Sequence, residues 1–264
     1  MINIKKPLRF LFTIVICATT AKSLYAQDSI ETTHKWRFLL EPYIMFPNMN
    51  GTAGLGGLPN ASVDENPGDI FRNLQFGAML YAEANKGFWT FSSDLTYMHL
   101  KSDAIINDAL GTGTVDIKQL AWELAGMRQL APWFELGLAF QLNNIKSDVD
   151  LFINTSSGIQ ERTSKIDETW VDPSVLVRVR TDLSKNKKWF FQFRGNIGGG
   201  GIGSDLYWQL QSYIGYRFSN LFQLSGGYRV IYIDYETGSG DDRFVYNMTT
   251  FGPVIRFGFN LGNK

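Results

Sequence analysis

The stretch "GNIGGGGIGSDLYWQLQSYIGYRF", Gly195–Phe218, decides the fold. Within it Gly198, Gly200 and Gly203 stand at G-x-G-x-x-G spacing, the fingerprint of a dinucleotide-binding loop. That motif has meaning only between a strand and a helix of a βαβ unit. After Gly203 the chain alternates instead: Leu206, Trp208, Leu210, Ile214 and Tyr216 share one parity. Tyr207, Gln209, Gln211, Tyr213 and Arg217 share the other. A period of two is a strand, so the fingerprint is accidental. The glycines are expected to bend a hairpin at a barrel rim, where φ > 0 and tight backbone approach are needed.

Working outward, the same period recurs. "KWFFQFRGNI" sets Trp189, Phe191, Phe193 and Ile197 against Lys188, Gln192, Arg194 and Asn196. "TWVDPSVLVRVR" sets Val171, Pro173, Val175, Val177 and Val179 against Asp172, Ser174, Arg178 and Arg180. "FELGLAFQL" does the same with Phe134, Leu136, Leu138, Phe140 and Leu142. Ten segments follow this rule: 35–47, 73–85, 88–101, 113–130, 133–147, 168–182, 188–199, 204–218, 221–236 and 243–261. They exceed the usual strand length of about 5–6 residues. Tight connections at Asn85–Gly87, Ala131–Pro132, Leu183–Lys187 and Phe218–Asn220 alternate with longer polar ones at 48–72, 102–112, 149–167 and 237–242. This pattern predicts an all-β fold, a ten-stranded transmembrane antiparallel up-and-down β-barrel with short periplasmic turns and longer extracellular loops. Eight strands is the alternative.

Aromatic residues gather at segment ends, as the two membrane interfaces require. The expected girdle is Trp36, Trp89, Trp133, Trp189 and Phe222 at the tight-turn end and Tyr97, Trp170, Trp208 and Tyr232, with Tyr235, at the other. If the aliphatic parity meets lipid, the polar parity fills the lumen. It carries Arg37, Arg178, Arg180, Arg194, Arg217, Arg229 and Arg256 with Glu41, Glu83, Asp94, Glu123, Glu135 and Asp172. Buried charges must be paired, and arginine's planar fork suits several carboxylates at once. A barrel of about eight strands holds only its own side chains and a clear channel needs about 16, so ten strands predict a filled, ion-paired lumen.

The N-terminus "MINIKKPLRFLFTIVICATTAKSLYAQ" has a basic start, an apolar centre from Phe10 to Ala18 and the small Ala26, the form of a secretory signal cleaved before Gln27. Ile16 before Cys17 argues against a lipobox. The expected organisation is a signal peptide at 1–26, a short periplasmic segment at 27–34 and the barrel at 35–264. Cleavage removes four of 25 Lys/Arg and no acid, leaving a balance of −4, and removes the only cysteine. Without cysteine there is no disulfide framework, and without a basic cluster nucleic acid is a poor partner.

Several stretches resemble a family of uncharacterised Gram-negative outer-membrane β-barrel proteins, of Bacteroidetes or proteobacterial type. "WRFLLEPYIMFPNMNGTAGLGGLPNASVDENPGDIFRNLQFGAMLYAEANKGFWTFSSDLTYMHLKSD" looks like its first three strands, and "WVDPSVLVRVR", "GGGGIGSDLYWQLQSYIGYRF" and "GGYRVIYIDY" continue the likeness. The resemblance implies insertion into the outer membrane and passage through its assembly machinery, and no chemistry. The chain departs from the common aromatic C-terminus, ending "FGFNLGNK".

No catalytic constellation, cofactor or metal set is recognised. His34 precedes the first segment, and His99 lies on the lipid parity with Tyr97. Ser92, Ser93 and Ser102 lie near His99, and Asp148, Asp150, Asp241 and Asp242 are rim carboxylates, but no spacing is diagnostic. Asp64, Glu65 and Asp69 lack a calcium-loop pattern. "NPGDIFRNL" (Asn66–Leu74), with Pro67 and Asp69, is expected to start a helical turn that caps or enters the barrel. The expected function is a structural or loop-mediated binding role in a monomeric, porin-like outer-membrane protein contacting lipid. A narrow passive channel is the first alternative, and a rim enzyme, protease or lipid-modifying, is the second.

Overall fold

Alternation appears as alternating burial. In β1 (Arg37–Met45) Leu39, Glu41, Tyr43 and Met45 are buried, whereas Phe38, Leu40 and Ile44 are exposed. Apolar residues face out and carboxylates, amides and arginines face in, the inverse of a water-soluble sheet. The computed structural model describes residues 35–56, 60–107, 111–155 and 158–262. The signal peptide expected at 1–26 and the segment at 27–34 lie outside them.

The further elements are β2 (Asn48–Leu55), β3 (Ala61–Glu65), α1 (Pro67–Asn73), β4 (Leu74–Lys86), β5 (Trp89–Asn107), β6 (Gly111–Ala131), β7 (Phe134–Thr155), β8 (Gly158–Asp182), β9 (Trp189–Ile202), β10 (Ser204–Arg217), β11 (Phe222–Thr237) and β12 (Phe244–Leu261). Sequential antiparallel pairing from β4 to β12 is closed by β1, which pairs with both β4 and β12. The wall is therefore a closed ten-stranded barrel. β2 continues β1 past Pro47 along the β12 flank, from Asn48↔Phe251 to Leu55↔Phe244, and β3 folds back onto β2.

Two ladders are incomplete: β8 and β9 pair only up to Ser174↔Gly198 although both continue, and the β1–β4 seam is the second. β1 and β4 pair only from Arg37↔Asn85 to Pro42↔Leu80, although both strands continue beyond that point. Above it β1 pairs with β12 alone and β4 with β5 alone. α1 forms where the proline at a first turn predicts it. Asn66 caps it by accepting from the backbone N–H groups of Gly68 (2.8 Å) and Asp69 (3.2 Å), and Asp69 adds the favoured charge.

The glycine run is a hairpin rim. β9 and β10 pair across it with a register shift, and Gly203 has φ +80°. A Cβ there would lie 2.3 Å from the Val171 carbonyl oxygen and 2.7 Å from an Asp172 carboxylate oxygen, so only glycine lets the chain press against β8.

Two expected loops need correction. Most of 102–112 and 149–167 is strand: β5–β6 pair as far as Asn107↔Gly111 and β7–β8 as far as Thr155↔Gly158. The cause is visible in the side chains. Past Leu142 on β7 and Val171 on β8 the outward parity turns polar, with Asn144, Lys146 and Asp148 facing Thr169, Asp167 and Lys165. These cross-strand partners join at 2.8 Å (Asn144–Asp167), 2.7 Å (Lys146–Asp167) and 3.3 Å (Lys165–Asp148). Opposite-charge pairs carry the sheet onward without apolar surface outside. With strand tilt, the twelve residues from Asn144 to Thr155 extend the wall by roughly 30 Å.

Candidate functional site

The lumen is the only place where polar and charged side chains are buried in depth among the described residues, and it has three levels.

At the tight-turn mouth, a vestibule of about 540 Å³ is lined by Arg37, Arg180, Asp182, Lys187, Lys188 and Arg217. Arg37 is exposed here, so it stands at the mouth rather than in the closed network. Arg217 pairs with Asp182 at 2.7 Å. Arg180 donates to the Gln192 side-chain oxygen Oε1 at 2.8 Å and lies 3.7 Å from Glu83.

Above it lies a layer of ion pairs. Arg178 bridges Glu83 and Glu135, with Tyr81 donating to Glu83 at 2.6 Å. Arg194 pairs with Glu123, which also accepts from the Asn196 amide at 2.8 Å. Arg229 reaches Asp94 at 3.3 Å and donates to the Gln209 oxygen at 2.6 Å. Arg256 lies 3.4 Å from Glu41 and 3.8 Å from Asp94, with its guanidinium among the rings of Tyr213 (4.3 Å), Tyr81 (4.9 Å) and Tyr43 (5.1 Å). None of the four arginines is more than 5% exposed. Alternation places each on the inner face, and closure brings partners from strands far apart in sequence within reach: Glu41 with Arg256, and Glu83 with Arg178.

Asp172 is buried but has no arginine, a correction to its expected place in the charge network. It accepts from the Ser204 N–H (2.6 Å) and hydroxyl (2.9 Å), the Trp170 indole N–H (3.0 Å) and the Asn143 amide (3.2 Å). Trp170 is a second correction. It shares parity with Asp172, is 5% exposed, and stacks inside the lumen on Tyr235 at 4.2 Å instead of joining the girdle. Tyr235 is internal too. The other expected girdle residues face outward. Trp36, Trp89, Trp133 and Trp189 are exposed at the tight-turn end, Phe222 packs between Phe218 and Phe259, and Tyr97 packs on Phe76 and Trp208 on Tyr232 towards the other end.

The third level is apolar, which inward polarity alone did not anticipate. Trp170, Tyr207, Ile233, Tyr235, Phe244, Tyr246 and Met248 form a buried cluster joined by Ile145 from β7. The available signal was the run Ile117, Ile145, Val149 and Ile166 on the inner parity of the projecting strands. Between this cluster and the ion-paired layer is a cavity of about 70 Å³ lined by Met45, Met49, Met79, Met98 and Met248, with Gln119, Gln141 and Arg229 at its polar edge.

On the outer face the structure places His99 Nε2 3.0 Å from an Asp116 oxygen, a pairing absent from the sequence reading, with Lys118 3.9 Å from the same oxygen. Ser102 is on the opposite parity and donates to the Asp103 carbonyl; Ser93 accepts from the Trp122 indole at 2.9 Å. Neither serine hydrogen-bonds to this pair.

No protein-family model and no curated protein matches the chain. Solved structures do. The outer membrane protease OmpT from Escherichia coli matches with a TM-score of 0.51 at 7% identity, over 89% of this chain and 99% of that one. The fold is that of the outer-membrane β-barrels. A CymD monoaromatic hydrocarbon channel (TM-score 0.36, 8% identity, 88% and 89% covered) and Neisserial surface protein A (0.31, 10%, 85% and 95%) are further, weaker likenesses.

Proposed function

We propose that the chain is an integral outer-membrane protein, sealed along its axis, with a binding or structural role carried by the end where β5–β8 project. The apolar band supports insertion. On β7 it runs from Phe134 to Leu142 and on β8 from Val171 to Val179, matching the roughly 9–11 residues of a spanning strand. The tight turns face the periplasm by the general rule for such barrels. The projecting strands then stand outside the cell.

The observation that carries the sealed-axis reading is the layer of Arg178, Arg194, Arg229 and Arg256, each buried on carboxylates and amides from several strands. Ions crossing it would have to displace paired charges in a low dielectric. The test is planar-bilayer recording of the refolded barrel. A silent but inserted barrel is expected. Discrete conductance steps would refute the seal and put passive transport first.

A further inference from the structure

Five of the chain's seven methionines line one cavity. Met45, Met49, Met79, Met98 and Met248 come from five different strands. Of the other two, Met1 lies outside the described residues and Met127 packs fully buried near the tight-turn end with Ala125, Ala139 and Leu176. Thioether side chains are unbranched and polarizable, and they line sites that re-pack around different apolar guests.

The same cavity meets the interrupted β1–β4 ladder. Met45 lies on β1 and Met79 on β4, just above the last pair, Pro42↔Leu80. From there the lips of the wall are parted. Gln75 and Gly77, on the inward parity of β4, remain exposed, unlike Tyr81 and Glu83 below them. Pro47, which has no N–H to offer a ladder, also lines the cavity. Across the seam the lipid-side filling is aromatic. Phe46 meets Phe71 of α1 at 5.6 Å, and Phe76 is 59% exposed.

We propose that this cavity is a binding site for a small apolar molecule, of the size of a single ring, which enters sideways from the bilayer through the β1–β4 seam. The cavity of about 70 Å³ is under half the roughly 150 Å³ that accepts benzene in an engineered core. Occupation therefore works through re-packing of the methionines. Gln141 and Arg229 mark the floor, below which the ion pairs exclude an apolar guest, whereas Gln119 donates to the Tyr246 hydroxyl of the aromatic cluster at 3.2 Å. The proposal rests on the axially sealed reading only in its route. Conductance steps would overturn that reading and leave the binding result untouched.

The test uses the full barrel in lipid nanodiscs with 13C-methyl methionine, titrated with toluene. Saturable shifts are expected in the methyls of Met45, Met49, Met79, Met98 and Met248, with Met127 as a fixed internal reference. No shifts, or equal drift of Met127, would overturn the site. Ala121→Leu fills the same cavity from β6 and should abolish the saturable shifts; if they persist, the site is wrongly placed. Phe46→Ala with Phe71→Ala should raise the exchange rate of bound toluene severalfold. An unchanged rate would overturn the lateral route.

Discussion

Arg178→Met tests the lumen layer most directly. Arg178 and Glu83 are both 1% exposed at their side chains, whereas Glu135, the second partner, is 13% exposed near the mouth. Methionine preserves volume and removes the charge, leaving Glu83 buried. Removing one partner of a buried pair costs about 3–5 kcal/mol. Glu83 keeps donors from Tyr81 (2.6 Å) and Asn85 (2.8 Å), with Arg180 at 3.7 Å, so the lower end applies. The expected loss is about 3 kcal/mol, roughly two orders of magnitude in the unfolding equilibrium. Adding Glu83→Gln removes the stranded carboxylate, and the double variant should recover to within about 1 kcal/mol of the parent. The assay is urea unfolding of the refolded barrel in vesicles, followed by tryptophan fluorescence and by the mobility difference between folded and unfolded chain. A single variant within about 1 kcal/mol of the parent, or a double variant as unstable as the sum of the singles, would refute the argument that this pair is dry and coupled.

Gly203→Ala should destabilise the barrel by about 1–3 kcal/mol, since the residue needs φ +80° and its Cβ would strike the Val171 carbonyl; the unfolding midpoint reads this. Trp170→Phe keeps the stack on Tyr235 but loses the indole donor to Asp172 and Ser204, with an expected cost of about 1–3 kcal/mol measured the same way. Outside the membrane, hydrogen bonds from Lys146 and Asn144 hold the Asp167 carboxyl below its usual value. The contribution of that pair is therefore present above the ordinary carboxylate range and fades as pH falls through the depressed value. Carboxyl NMR titration should show Asp167 moving up in Lys146→Met, and no movement would discount the pair.

Two-residue periodicity in segments such as Lys188–Ile197 was enough to assign the barrel, its ten strands and the inward face of Arg178, Arg194, Arg229 and Arg256, because side-chain direction along a strand is a local property. Local parity also contained the correction to Trp170, which shares its face with Asp172; its aromatic character and position near a strand end argued for the girdle, but parity prevailed. The polar residues at 102–112 and 149–167 suggest turns, whereas in the structure these stretches pair as strands, with Lys146 facing Asp167 and Asp148 facing Lys165 across β7 and β8. What only the tertiary structure decided are the partners. Glu41 and Arg256 lie 215 positions apart, and no local rule selects that pair from the other inward charges. Closure of the barrel sets the register of every strand at once, and that register also leaves β1 and β4 parted above Pro42 and brings five dispersed methionines to one wall. Pairing across the barrel is a global consequence of closure, so alternation along one strand cannot reveal it.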